Sequence, residues 1–127
     1  MPGTRAEAET WALDWIDAWN RRDLDAVLGQ FDDNVVFSSP RVREVTGSSA
    51  VQGKDALRGY WEPPIIAAHS LRFELERIVW DAVTRELGIV HNAEIDGKHA
   101  LFVDLLTFAE DGRIVRGEGL YGVPPEG

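Results

Sequence analysis

An acidic residue in the middle of an apolar run is the feature of this sequence with the clearest chemical potential. Residues 101–108 read LFVDLLTF, and all of them except Asp104 suit a strand that is covered on both faces. An ionised carboxylate in an apolar wall costs several kcal/mol unless it is paired or hydrogen-bonded. Asp104 is therefore paired, or protonated, or on a face that opens into a cavity, and each option makes it a candidate functional residue.

A histidine is predicted to share a face of the sheet with Asp104. Residues 87–95 read LGIVHNAEI and are followed by Asp96-Gly97, a strong signal for a two-residue hairpin turn. That turn places His91 diagonal to Asp104, within reach for a hydrogen bond or an ion pair, because alternate side chains of a strand share one face. The pair suits general acid–base chemistry, and the alternative is that His91 anchors the carboxylate as a structural device.

Length and composition narrow the class of protein. A chain of 127 residues, 44% of them hydrophobic, is expected to form one domain over residues 1–127. The formal charge of −9 argues against a nucleic-acid partner, which needs a basic surface. The sequence has no cysteine, no apolar run near the ~20 residues of a membrane span, and no signal-peptide core in residues 1–10. We expect no membrane partner and a cytoplasmic location.

Three helices are predicted in the first half of the chain. A capping box at Thr4 begins the first, which runs to about residue 20, and Asp23 caps a short second helix. Residues 53–61 form the third, which ends or kinks at the two prolines that follow. Residues 41–52 between the second and third helices are polar and predict a mobile loop that rims a pocket.

The second half of the chain predicts strands. Residues 71–80 form one strand with a bulge near Glu76-Arg77, the hairpin follows, and residues 113–122 form the last strand before Pro124-Pro125 closes the fold. A chain in which helices come first and antiparallel strands follow has the order of an α+β domain. In such a domain the helices cover one face of a strongly bent sheet.

Three segments together resemble the nuclear transport factor 2-like superfamily, in particular ketosteroid isomerase and the SnoaL-like polyketide cyclases. They are AWNRRDLDAVLGQFDDNVVFSSP at 18–40, GKDALRGYW at 53–61 and LTFAEDGRIVRGEGLYG at 106–122. The resemblance implies a cone-shaped α+β barrel, whose strongly curved, mainly antiparallel sheet wraps over three helices from the N-terminal half. It also implies a deep apolar pocket and, often, a dimer.

Only some of the catalytic residues of these families have a counterpart in this sequence. Asp104 stands where ketosteroid isomerase has a protonated aspartic acid that donates a hydrogen bond to the developing enolate, and where the cyclases have a histidine. Trp15 occupies the position at which the isomerase has a tyrosine that donates a second hydrogen bond. Ser39 replaces the isomerase base, and Gly119 replaces the last-strand aspartate of the cyclases and of the similar limonene epoxide hydrolases. Because both family bases are missing, neither reaction carries over intact.

The expected ligand is a small hydrophobic molecule, cyclic or carbonyl-bearing. Asp104 would act as proton donor or oxyanion partner, and His91 as the base or its orienting partner, in cofactor-free chemistry of the isomerase, cyclase or hydrolase type. The pocket is expected to be completed by apolar and aromatic side chains and one hydroxyl: Trp15, Phe37, Ser39, Trp61, Ile89, Phe102, Leu106 and Tyr121. For Trp15 the alternative is the helix core, and for Ser39 it is a turn cap.

Other functions stay open or are disfavoured. A non-catalytic binder of a similar molecule is the main alternative, and a protein-interaction module is disfavoured because it has no use for a buried acid–histidine pair. No metal site is expected, since the three histidines lack the spacing of metal ligands. Val90, Leu101, Val103 and Leu105 point away from the pocket with no helix left to cover them, which favours a homodimer through this outer face.

Overall fold

Four helices and six strands make up the part of the chain that the computed structural model describes, residues 1–122. The helices are α1 (Arg5–Asn20), α2 (Leu24–Leu28), α3 (Pro40–Thr46) and α4 (Lys54–Ala67). The strands are β1 (Phe31–Ser38), β2 (Val51–Gln52), β3 (Leu71–Asp81), β4 (Glu86–Ile95), β5 (Lys98–Phe108) and β6 (Ile114–Gly122). The predicted closure at Pro124-Pro125 lies outside the described residues.

All six strands belong to one curved sheet that does not close into a full barrel. Their order is β2-β1-β6-β5-β4-β3, and every neighbouring pair is antiparallel except β1 with β6. Helix α1 packs against β3 and α4 packs against β1, so helices cover one side of the curve. The predicted α+β cone is confirmed, with open sheet edges at β2 and β3. None of the helices in residues 1–122 has the length and apolar content that a membrane crossing requires.

The segment predicted as a polar loop is largely regular, and this prediction was wrong. Ser39 caps helix α3, its Oγ accepting a hydrogen bond from the Val42 backbone N–H at 3.1 Å, and Pro40 follows at the first helical position. Gly47, with φ of 76°, ends the helix in the left-handed region. The Ser39-Pro40 pair, for which a turn cap was one expectation, is thus the start of a helix.

Helix α4 continues to Ala67 rather than ending at its two prolines. Its C-terminal end is held by a side chain from another part of the chain. The Arg22 guanidinium donates to the Ile65 carbonyl at 2.9 Å and to the Ala68 carbonyl at 2.6 Å. Terminal helix carbonyls otherwise lack partners, so this contact supports the extra turn.

The β4–β5 hairpin has the predicted register. Asp96 (φ 53°) and Gly97 (φ 82°) form the turn, and positive φ at both positions is what a type I′ turn requires. His91 pairs with Phe102 across the two strands, so His91 and Asp104 lie on the same face.

Strand β3 is tied to the first helix at its outer edge. It carries the predicted bulge, between Leu75 and Arg77. Asn20, at the end of α1, accepts from the Phe73 N–H at 2.7 Å and donates to the Phe73 carbonyl at 2.9 Å. The Asn20 amide therefore pairs with Phe73 as a neighbouring strand would, and it fixes α1 over the concave face.

Gly117 in β6 leaves the space that an aromatic core residue fills. A Cβ at this position would lie 2.8 Å from Cδ2 of Phe37 and 3.4 Å from Cδ2 of Leu106. Both of these neighbours are buried, and Phe37 also packs against Trp61 with ring centroids 5.1 Å apart, so the added methyl group would disturb packed side chains.

We expect Gly117→Ala to lower the free energy of unfolding by about 1–3 kcal/mol, because the methyl group overpacks the core. The matched control is Gly59→Ala in α4, where nothing lies within 4 Å of the added Cβ. In a helix this control should be stabilising by up to about 1 kcal/mol. Urea unfolding measures both, and equal stability of the two variants would contradict the packing argument.

Candidate functional site

A cavity of about 160 Å³ opens on the concave side of the sheet, between α4, the start of α3 and strands β4, β5 and β6. Its walls are mainly aromatic. Seven of the ten predicted site residues line it: Phe37, Ser39, Trp61, His91, Phe102, Asp104 and Tyr121. The hairpin register accounts for His91, Phe102 and Asp104, because it puts all three on the concave face.

Trp15, Ile89 and Leu106 do not line the cavity, and their prediction as pocket residues was wrong. Ile89 and Leu106 are on the concave face but have no exposed surface, because they lie deeper in the core. Trp15 is 4% exposed, and its indole N–H donates to the Val27 carbonyl at 3.1 Å. Periodicity determines which face a side chain occupies, while its depth depends on what packs above it.

The sequence prediction missed several wall residues. Trp19 lies one turn after Trp15 on the same helix stripe, and Tyr60 directly precedes Trp61 in α4. Local pattern does not tell which member of such a pair reaches the cavity. Arg41 was not among the predicted pocket residues, because residues 41–52 were predicted to form a loop. That segment does reach the cavity, as helix α3, while its mobility stays a prediction.

Asp104 and His91 face each other on one wall of the cavity. The Asp104 Oδ2 lies 3.8 Å from the His91 Nε2, within ion-pair range but too far for a direct hydrogen bond. The side chains are 16% exposed for Asp104 and 4% exposed for His91. The same-face placement is as predicted, and the direct hydrogen bond that was one option is absent.

The orientation of the His91 ring follows from its second nitrogen. Nδ1 lies 3.3 Å from the Ile89 backbone carbonyl. Because a carbonyl only accepts, Nδ1 must carry the proton of this hydrogen bond, which leaves the lone pair of a neutral ring on Nε2. Phe102 stacks against the ring with centroids 5.8 Å apart. A basic nitrogen therefore points towards Asp104 and the cavity.

Burial raises the pKa of the Asp104 carboxyl above its ordinary value, and the nearby His91 opposes this only in part. Within residues 1–122 no side chain donates a hydrogen bond to the carboxylate, so the His91 ring 3.8 Å away is the one group there that offsets part of its desolvation. The acid consequently keeps its proton to higher pH than an exposed aspartate and can serve as a hydrogen-bond donor.

Polar groups also gather at the mouth of the cavity. The Arg41 guanidinium carbon lies 4.9 Å from the centre of the Tyr60 ring, and the Tyr60 hydroxyl is 3.4 Å from Ser39 Oγ. Burial raises the pKa of Tyr121, with Tyr60 adding to the effect and Arg41 opposing it. Ser39 Oγ already caps α3, so Ser39 is a structural hydroxyl and not a base.

The backbone at Gly119 passes close to Phe37 and Ser39. A Cβ would lie 3.2 Å from Ser39 Cβ, 3.3 Å from Phe37 Cζ and 3.8 Å from Asp104 Oδ1. A side chain at this position would therefore require Phe37 or Ser39 to shift by a few tenths of an ångström. Within residues 1–122, no three His, Cys, Asp or Glu side chains come together as a metal-binding group.

The open cone of sheet and helices, with a cavity on its concave side, is the nuclear transport factor 2-like fold. The model of the SnoaL-like domain matches residues 12–117, and the chain belongs to the SnoaL-like family. A SnoaL-like protein of unknown function from Burkholderia thailandensis is 28% identical, with a TM-score of 0.86 over 97% of this chain and 100% of that chain. No curated protein matches the chain in a sequence comparison.

Two more distant structures belong to named proteins. The epoxide hydrolase/cyclase-like enzyme SalBIII, with a role in pyran ring formation in the polyether salinomycin, is 16% identical, with a TM-score of 0.72 over 96% of this chain and 95% of that one. AusH from Aspergillus nidulans is 15% identical, with a TM-score of 0.76 over 95% of this chain and 87% of that one. At these identities the likeness shows the fold alone.

The raised pKa of Asp104 predicts a pH-dependent effect of Asp104→Asn on stability. As pH rises above the unfolded-state pKa of about 3.9, the unfolded chain loses a proton that the native state keeps. Wild-type stability therefore falls as pH rises through this window, while asparagine, which does not titrate, escapes the loss. Urea unfolding between about pH 4 and pH 8 should show Asp104→Asn gaining stability relative to wild type as pH increases.

The matched control is Asp33→Asn, since Asp33 is exposed and makes no side-chain hydrogen bond within residues 1–122. Its stability difference from wild type should show no comparable rise with pH. A difference for Asp104→Asn that falls with pH would mean that the native state favours the ionised carboxylate, contrary to the geometry.

Proposed function

We propose that this SnoaL-like protein is an enzyme that binds a small hydrophobic compound with a carbonyl group, preferably on a ring. It catalyses cofactor-free proton transfer on this compound, in a reaction of the isomerase, cyclase or hydrolase type. One observation carries the proposal: a buried acid with a raised pKa stands 3.8 Å from an imidazole nitrogen whose lone pair faces the same cavity. Sites with this pairing of perturbed acid and base are suited to proton transfer.

Asp104 has the environment of a proton donor to oxygen. Its carboxyl keeps the proton because it is desolvated without a compensating donor. A substrate carbonyl that approaches would accept a hydrogen bond from it, and the bond would strengthen as negative charge develops on the oxygen. A single donor of this kind in a dry site contributes ~3–4 kcal/mol to transition-state stabilisation.

His91 supplies the base that the usual family positions lack, since Ser39 and Gly119 stand there. Its Nε2 would accept the proton from the carbon next to the carbonyl, while the substrate oxygen receives the hydrogen bond from Asp104. The resulting imidazolium is stabilised by the neighbouring carboxyl oxygen at 3.8 Å. Return of the proton to another carbon or to oxygen completes the cycle without a net change in the protein.

One structural neighbour is consistent with this type of chemistry, since SalBIII is described as epoxide hydrolase/cyclase-like. A non-catalytic binding protein is the second candidate. One observation favours it. The two positions at which the related enzymes have a catalytic base hold Ser39 and Gly119 here, and neither residue has a carboxylate or imidazole that could act as a base. The two candidates differ in whether the His91–Asp104 pair moves a proton. The expected cytoplasmic location stays a prediction.

Exchange of carbon-bound hydrogen separates the enzyme from the binder. Incubated with cyclohexanone in deuterium oxide, the wild-type protein should speed deuterium incorporation next to the carbonyl, as followed by NMR. We expect His91→Gln and Asp104→Asn each to reduce the rate by about 100-fold or more, because a positioned base and a positioned donor each contribute on this scale.

The control for this assay is His99→Gln, since His99 is exposed and should not affect exchange. A wild-type rate equal to that of the same concentration of free imidazole would remove the catalytic proposal and favour the binding protein. A wild-type rate in Asp104→Asn would remove Asp104 from the mechanism.

The convex face of the sheet supports a second proposal, that two copies of the chain pair through it. Val103 lies opposite Leu120 on β6, and Leu120 is 40% exposed. Leu101 and Leu105 are half-buried on the same face, whereas Val90 is already covered. A symmetric contact between two such faces would remove this apolar surface from water.

If the dimer forms this way, light scattering after gel filtration at micromolar concentration should give about twice the chain mass of 14.2 kDa. Leu120→Glu places a charge at the centre of the contact and should yield the monomer. Val83→Glu, at an 89% exposed position in the β3–β4 turn, should remain dimeric. A monodisperse wild-type monomer would contradict the proposal.

A further inference from the structure

We propose that the ligand of the cavity is a carboxylate with a single ring, whose carboxylate group binds Arg41 at the mouth while its ring lies among the aromatic side chains inside. This inference rests on the proposed function and deepens it, since it assigns the class of ligand. Two geometric observations carry it, the size of the cavity and the position of Arg41, and the raised pKa of Asp104 supports it.

The size of the cavity selects for one ring. Its volume is about 160 Å³, and an apolar protein cavity of about 150 Å³ takes a benzene molecule. A six-membered ring with a short substituent therefore fills the interior. A skeleton of several fused rings needs more room than this volume. The wall residues Trp61 and Phe37 are buried and pack against each other with ring centroids 5.1 Å apart.

Arg41 offers the cavity a cation with unused hydrogen-bonding capacity. Its guanidinium carbon lies 4.9 Å from the Tyr60 ring centre, a cation–π distance that holds the group in place beside the opening. Within residues 1–122 no carboxylate lies within 4.0 Å of Arg41, so its guanidinium is not committed to an ion pair there. Unlike Arg43, which also has no such pair but is exposed, Arg41 lines the cavity.

The chemistry of the guanidinium and the charge inside the cavity together favour an anionic ligand. Arginine binds a carboxylate through two parallel hydrogen bonds, which fixes orientation as well as adding affinity. Burial raises the pKa of Asp104, the acid inside the cavity, which favours its neutral form and lowers its repulsion of an anion. Glu44, near Tyr121, is exposed at the rim and is screened by water.

The two ends of the site then act on one molecule. Arg41 holds the carboxylate at the mouth, and a carbonyl on the ring reaches Asp104 and His91 on the inner wall. Tyr121 lines the same cavity, and both Arg41 and Asp104 are near enough to influence its pKa. The carboxylate thus serves as the handle that orients the ring, and the reacting atoms lie at the other end.

Matched acid and amide probes test this inference directly. The probes are benzoate with benzamide, and cyclohexanecarboxylate with cyclohexanecarboxamide, and binding is measured by isothermal calorimetry at low salt. Wild-type protein should bind each acid at least about tenfold more tightly than its amide, the effect expected of one charged hydrogen-bonded pair. Arg41→Gln should bring the ratio close to one, and Arg41→Lys should retain part of it because the charge remains.

Arg43→Gln is the control, since Arg43 lies on the same helix but is exposed, and it loses the same charge. It should keep the wild-type ratio. An Arg41→Gln variant with wild-type thermal unfolding that still prefers the acids would overturn the inference, and so would equal binding of acids and amides by wild type or no binding of any probe. The exchange assay with cyclohexanone, which carries no charge, tests the proposed function independently of Arg41.

Discussion

The two-residue turn at Asp96-Gly97 is the constraint on which the site depends. Both residues have positive φ, which only this kind of tight turn uses, and the turn sets the pairing of every residue along β4 and β5. The Asp96 carboxylate also accepts from the backbone N–H groups of His69 and Ser70, so the turn is anchored to the start of β3. A slip of one residue would turn the acid or the imidazole out of the cavity.

Once the register is set, the energetic balance of the site follows from what surrounds Asp104. The carboxyl has lost water without gaining a hydrogen-bond donor from residues 1–122, and the imidazole at 3.8 Å compensates only part of that loss. The lowest-cost solution is to keep the proton. A site of this kind is less stable than an apolar wall, and such a loss of stability is typical of positions retained for function.

Close packing links the last strand to the start of α3. A Cβ at Gly119 would lie 3.2 Å from Ser39 Cβ and 3.3 Å from Phe37 Cζ, so a side chain there would require one of them to shift. Ser39 in turn is committed to capping α3, the helix that brings Arg41 to the cavity. Gly119, Ser39 and Arg41 therefore belong to one packed region beside the cavity.

The sequence by itself determined the α+β order, the hairpin register and the shared face of His91, Phe102 and Asp104, because capping, turn chemistry and strand alternation are local properties. Only the tertiary structure decided how deep each side chain lies. Ile89 and Leu106 share the concave face yet are sealed in the core, and Trp19 rather than Trp15 reaches the cavity. Depth, desolvation and the position of Arg41 depend on elements far apart in the chain, and no local pattern encodes their packing.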